Sequence, residues 1–109
     1  MAKNLHHFVN GKKVEGKSGR FGDVYNPATG EVSAKVPLAS RSEVGDAVAA
    51  ALAAFPQWSN TPPLRRARVL FKFKELIEQN LDKLAALVTA EHGKVLSDAK
   101  GSCIRGLEV

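Results

Sequence analysis

Glu91–Val109 reads EHGKVLSDAKGSCIRGLEV, and the way this stretch stops and restarts a helix decides how the chain is built. Gly93 has the character of a left-handed helix terminator, and the residues after it resume helical periodicity around one isolated arginine. From Asp98 onward, Ala99, Cys103 and Leu107 fall on one helical stripe, while Asp98, Ser102 and Arg105 fall on another about a third of the way round. Arg105 therefore stands on a polar stripe. Gly101 and Ser102, four and three residues before it, are too small to cover its guanidinium and carry no charge to neutralise it. A notch is left beside a fixed fork of donors suited to a carboxylate. Spacing alone favours the plainer reading, in which Arg105 pairs with Glu108 one turn on or is simply solvated. Leu107 is followed by no cap glycine, no proline and no terminal cluster of Lys or Arg. The chain is thus expected to finish inside a helix, as a truncated piece would.

Upstream of this stretch, Asn80 breaks one helix and is placed to cap the next, in which Leu84, Leu87 and Val88 are the expected buried positions. Glu91, His92 and Lys94 gather at the junction. No second His or Cys lies at ligand spacing from His92, so the residue reads as a surface or capping group, not a metal ligand. Before Asn80, Thr61-Pro62-Pro63 is a helix-start signature, because proline is tolerated where amide hydrogens lack partners anyway. On the helix it opens, Val69, Leu70, Phe73, Leu76 and Ile77 make one apolar face, and Leu64, Ala67 and Phe71 a second stripe on its flank. Two apolar sides ask for cover on two sides. Arg66 projects among the first set and is expected to pair with an acid or to reach outward to solvent. Arg65, Arg66 and Arg68 could touch phosphates, although a solvated face is the commoner explanation.

Ser40-Arg41-Ser42-Glu43 forms a capping box at the start of another helix. Val44, Val48, Leu52 and Phe55 follow at helical spacing, and Pro56 is expected to end the helix. Trp58 then falls in the connection, as a plug between helices. The first part of the chain alternates with period two instead. Phe8–Val14 places Asn10-Gly11, the strongest two-residue hairpin turn, between two β-prone runs. Arg20–Tyr25 reads as a strand, the turn Asn26-Pro27-Ala28-Thr29-Gly30 follows it, and Glu31–Val36 alternates until Pro37. Residues 1–39 are therefore expected to form a small antiparallel β-hairpin ribbon, and residues 40–109 about four helices.

Sixteen basic against eleven acidic residues give a net charge of +5, but the excess is spread from Lys3 to Arg105, which argues against a nucleic-acid face. Few aromatic side chains and many alanines imply a thin core, so further covering sequence is expected. The lone Cys103 suits a reducing compartment, no run approaches the length of a membrane span, and Met1–Leu5 has no targeting pattern; a cytoplasmic location is expected. There is no phosphate loop, dinucleotide fingerprint, zinc spacing or paired-carboxylate motif. Cys103, the single thiol, lies on an apolar stripe and reads as a small core residue. Taken alone, these residues make no catalytic machine.

FVNGKKVEG (Phe8–Gly16), VYNPATGEV (Val24–Val32), AFPQWS (Ala54–Ser59), RRARVLFKF (Arg65–Phe73) and EHGK (Glu91–Lys94) occur in that order. Together they resemble the N-terminal end of the NAD-dependent aldehyde dehydrogenase superfamily. TPPLRRARVLFKF, TAEHGK and GxxxRGLEV are most similar to its coenzyme A-acylating methylmalonate (malonate) semialdehyde dehydrogenases. The resemblance implies an α/β enzyme of aldehyde dehydrogenase type, homotetrameric, of which residues 1–39 are the N-terminal β segment and 40–109 a truncated helical part of the coenzyme-binding domain. It implies oxidation of a semialdehyde through a cysteine thioester, with NAD as hydride acceptor, loss of carbon dioxide and coenzyme A as acyl acceptor. The family's nucleophilic cysteine, oxyanion asparagine and nucleotide-binding strands lie downstream of the matched stretch. Cys103 is accordingly not the nucleophile, no cofactor-binding or catalytic residue is carried over, and the matched residues alone are expected to be inactive and to hold no cofactor. Arg105, in the RGLE segment, does carry over, as the group that holds the substrate carboxylate. Two other readings compete: a non-acylating NAD(P)-dependent aldehyde dehydrogenase, and a stand-alone basic helical module that binds RNA or protein.

Overall fold

The computed structural model describes residues 2–109. Among them, five strands and four helices follow in order: β1 (Lys3–Asn4), β2 (His7–Val9), β3 (Lys12–Val14), β4 (Phe21–Tyr25), β5 (Val32–Pro37), α1 (Arg41–Ser59), α2 (Pro63–Gln79), α3 (Leu81–His92) and α4 (Leu96–Glu108). The chain forms two compact units, one of Met1–Tyr25 with Glu31–Asn60 and one of Asn26–Gly30 with Thr61–Val109.

In the first unit, β2 and β3 pair antiparallel with Phe8 opposite Lys13. Asn10 and Gly11 take φ of 51° and 73°, the doubly positive turn that matches the twist of a two-residue hairpin. A separate sheet has the order β1-β5-β4. β4 and β5 pair antiparallel as the alternation predicts, but β1 adds a parallel edge, with Lys3 opposite Ala34. This edge was not readable from period two, which says that a strand forms and not which strand it meets. The register shifts at Val24/Tyr25, where the Ser33 hydroxyl donates to the Val24 carbonyl at 3.0 Å. Along β5 only Ala34 and Pro37 are buried. Val32 and Val36, which alternate along the strand with Ala34, are exposed, and Pro37 is the last residue of β5 instead of lying beyond it.

α1 starts on the expected box: the Glu43 amide donates to the Ser40 hydroxyl at 3.2 Å, and the Ser40 amide donates to the Glu43 carboxylate at 2.8 Å. It does not end at Pro56. The helix runs to Ser59 with Pro56 inside it, because a proline in the last turn removes one donor without preventing the residues after it from bonding back. The Asn60 amide and the Ser59 hydroxyl both donate to the Pro56 carbonyl, at 3.2 and 3.1 Å. Trp58 consequently lies in the helix and is 44% exposed, not a plug in a connection.

In the second unit, α2 opens with Pro63 at its first position. Arg66 neither pairs with an acid nor projects free: its Nε donates to the Thr61 carbonyl at 3.0 Å, bracing the helix start. Asn80 ends α2 and stands at the N-cap of α3: its carbonyl accepts from the Leu84 amide at 3.0 Å, while its side-chain amide donates back to the Leu76 carbonyl at 2.8 Å and makes no cap bond to α3. α3 and α4 pack together. Each contributes one fully buried residue, Ala85 and Ala99, small enough to let helix backbones approach closely. Leu87, expected inside, is 63% exposed, and Leu84 and Val88 are half-buried. The apolar stripes of α1 and α2 contain no buried residue.

Candidate functional site

The α3–α4 junction is where charge collects. Gly93 ends α3 with φ of 83°, its amide donating to the Thr89 carbonyl at 2.8 Å. Only a left-handed residue turns the chain this sharply. Lys94 follows, Val95 is extended, and α4 begins at Leu96. Ala99, Cys103 and Leu107 lie on the inner side of α4 as their spacing predicts, buried or half-buried. Ser102 and Arg105 lie on the polar stripe.

The Ser102 hydroxyl is the centre of the site. It donates to the Asp98 carbonyl at 3.2 Å, accepts from Lys94 Nζ at 2.9 Å and accepts from Arg105 Nη2 at 3.1 Å. One proton and two lone pairs are all that a hydroxyl has, so its capacity is filled. The Arg105 guanidinium lies over Gly101, where an added Cβ would meet it at 3.6 Å, an ordinary contact distance. Arg105 does not take Glu108: among the described residues neither it nor Lys94 forms a salt bridge, whereas the neighbouring Lys100 pairs with Asp82. Two positive groups therefore lie within about 6 Å of each other on a neutral oxygen. Their repulsion is at least about 0.7 kcal/mol in bulk water and about 3 kcal/mol at the effective dielectric near a protein surface. An anion placed between them would relieve it. The second cation, Lys94, was missed in the sequence because Lys94 and Ser102 are eight residues apart across a helix break, where no periodicity applies.

A second polar cluster lies in the first unit. Glu43 accepts from the Ser40 amide and, at 2.7 Å, from the Lys17 amide, with His7 Nε2 at 3.8 Å. The Ser40 amide first, then the Lys17 amide, lower the Glu43 pKa from 4.5 to about 2. These bonds tie the exit of the hairpin to the start of α1, beside an open groove of about 610 Å³ lined by Phe8, Val9, Val44, Val48 and Ala51. A carboxyl whose folded pKa is depressed contributes stability that is complete above its unfolded value and is lost as pH falls through the folded one. The melting temperature of the protein should therefore exceed that of Glu43→Gln by a constant amount above about pH 4.5, and the gap should close as pH falls toward 2. A gap unchanged at pH 2 would assign the effect to packing instead of ionisation.

The connection from β5 to α1 is not built to cradle the phosphates of a nicotinamide dinucleotide or of coenzyme A. β5 leads into α1 through Leu38-Ala39-Ser40, without glycine. The first turn of α1 already holds Ser40 and the carboxylate of Glu43, which would repel a phosphate. No group of His, Cys, Asp and Glu among the described residues is arranged to hold a metal, and no helix is long and apolar enough to cross a membrane.

Residues 13–109 match the model of the aldehyde dehydrogenase family. The chain belongs to that family. Within this aldehyde dehydrogenase chain, 104 residues are 52% identical to malonate-semialdehyde dehydrogenase of Pseudomonas aeruginosa, covering 95% of this chain and 21% of that protein. All 109 residues align at 50% identity with the mitochondrial acylating methylmalonate-semialdehyde dehydrogenase of Arabidopsis thaliana, of which they cover 18%. The chain thus spans about a fifth of these relatives and matches their N-terminal portion. In three dimensions it superposes with a TM-score of 0.95, at 50% identity, on a protein of Sinorhizobium meliloti 1021 assigned as a methylmalonate-semialdehyde dehydrogenase and crystallised with NAD. That comparison covers 99% of this chain and 22% of the other. The strands and helices are therefore those of an aldehyde dehydrogenase, and the reading as a stand-alone basic helical module is not favoured.

Proposed function

We propose that the chain is the N-terminal part of a coenzyme A-acylating malonate or methylmalonate semialdehyde dehydrogenase, cytoplasmic and homotetrameric. The enzyme would convert semialdehyde, NAD+ and coenzyme A to acetyl-CoA or propionyl-CoA, carbon dioxide and NADH. NAD would accept the hydride and coenzyme A the acyl group, and both would be held by residues other than those described. What this chain supplies is the grip on the substrate's acid group. The observation that carries the reading is Arg105, exposed on α4 with no carboxylate partner among the described residues, in a chain about half identical to semialdehyde dehydrogenases. A guanidinium presents a planar fork of donors to a carboxylate, a contact whose strength a neutral aldehyde cannot match.

The test is turnover of the intact enzyme with malonate semialdehyde and NAD+, with and without coenzyme A. Acetyl-CoA formed in step with NADH, and turnover that depends on coenzyme A, are expected. Release of a free acid at a rate indifferent to coenzyme A would favour the non-acylating reading.

A further inference from the structure

The convergence of Lys94 and Arg105 on a single hydroxyl adds a residue to the anion site. We propose that Lys94 is a second group that binds the substrate carboxylate, and that Ser102 is the positioning residue that holds Lys94 and Arg105 as a pair. The inference rests on the carboxylate role of Arg105 and extends it.

Three features of the junction carry it. Lys94 follows the left-handed Gly93, so its side chain starts from a fixed backbone direction and not from a mobile loop. Lys94 is half-buried and its Nζ is bonded to Ser102, with the remaining ammonium donors directed away from that bond. Lys100, on the same helix as Ser102, shows what a cation with an available acid does here: it pairs with Asp82 across α3 and α4. Among the described residues, Lys94 and Arg105 have no such acid and share a neutral acceptor instead. A carboxylate has two oxygens and suits two cations within about 6 Å of each other, one oxygen toward the guanidinium and one toward the ammonium. The ligand class is therefore a small aldehyde that carries a carboxylate. Ser102 would touch no substrate atom; it would keep the two cations from swinging apart under their own repulsion.

The experiment uses the intact enzyme and the ratio of KM for malonate semialdehyde to KM for propanal. Lys94→Met should raise that ratio about tenfold with kcat little changed, because a charge-assisted bond to a ground-state group is lost. Lys94→Arg should keep most of the preference. Ser102→Ala should raise the ratio about threefold, and Ser102→Thr, which keeps the hydroxyl, should restore it. Lys100→Met should leave the ratio where it was. Malonate, used as a dead-end competitor, should bind more weakly to Lys94→Met by the same factor. If Arg105→Leu loses the acid preference while Lys94→Met keeps it, the role of Lys94 falls and that of Arg105 stands. If Arg105→Leu also keeps it, the proposed function falls as well. Failure of both Lys94→Met and Lys94→Arg to fold would make Lys94 a structural residue and overturn the inference.

Discussion

Arg105→Leu in the intact enzyme is expected to raise KM for malonate semialdehyde by about 10- to 100-fold, while KM for propanal changes by less than about twofold. The magnitude follows from the net worth of a hydrogen bond to a charged group, about 1.5–3 kcal/mol, at about 1.4 kcal/mol per factor of ten. The asymmetry follows from chemistry: propanal has no carboxylate, so it loses nothing when the guanidinium is removed. Because the carboxylate is bound in the ground state and the transition state alike, kcat should hold while KM rises. Leucine keeps the helix, since Arg105 is exposed and contributes one side-chain bond, to Ser102. Steady-state kinetics on the two substrates, with circular dichroism to confirm the fold, decides the matter. Equal effects on both substrates would remove the carboxylate role.

Gly93→Ala should be among the most destabilising single changes in the chain, lowering stability by about 2 kcal/mol. The residue sits at φ of 83°, where any side chain costs about 1–2 kcal/mol. Its added Cβ would also meet Pro27 Cβ at 3.1 Å and Cγ at 3.2 Å. A proline ring has no rotamer into which it can withdraw, so the backbone must give. Gly30 supplies the control, with φ of 74° and open space around its would-be Cβ. Gly30→Ala should therefore carry the backbone strain alone and cost less, as read from the two melting temperatures. Identical losses would mean that the Pro27 contact is irrelevant. Since Lys94 follows Gly93 directly, the same change should also weaken the preference for an acidic substrate, whereas Gly30→Ala should not.

The parts of the fold legible in the sequence are those written by local backbone chemistry. Asn10-Gly11 must take positive φ together, Ser40 and Glu43 satisfy each other's amides, Pro63 sits where no donor is needed, and Gly93 alone accepts the left-handed stop. Each is settled within about four residues, so a single sequence suffices. Where the outcome depended on which of two local rules won, the reading failed. Pro56 was expected to end α1, but the Ser59 and Asn60 donors found its carbonyl. Asn80 serves both helices, but its side chain bonds back to α2 and only its carbonyl takes an amide of α3. Of the candidate site, the place of Arg105 on the polar stripe of α4 was legible because helical periodicity marks it. Lys94 was not, because it reaches Ser102 across the break at Gly93.

By itself, then, the sequence determined the hairpin at Asn10-Gly11, strands β4 and β5, the starts of α1 and α2, the stop at Gly93 and membership of the aldehyde dehydrogenase family, and it singled out Arg105 as a candidate for a carboxylate. The tertiary structure decided what those elements do to one another. It set β1 parallel to β5, turned the inward positions of α3 and α4 into two alanines, tied Lys17 to Glu43 across 26 residues and brought Lys94 onto the same hydroxyl as Arg105. The physical reason is range. Dihedral preference and capping act over one turn of chain, whereas a charge is answered by whatever group the folded backbone carries to within hydrogen-bond distance.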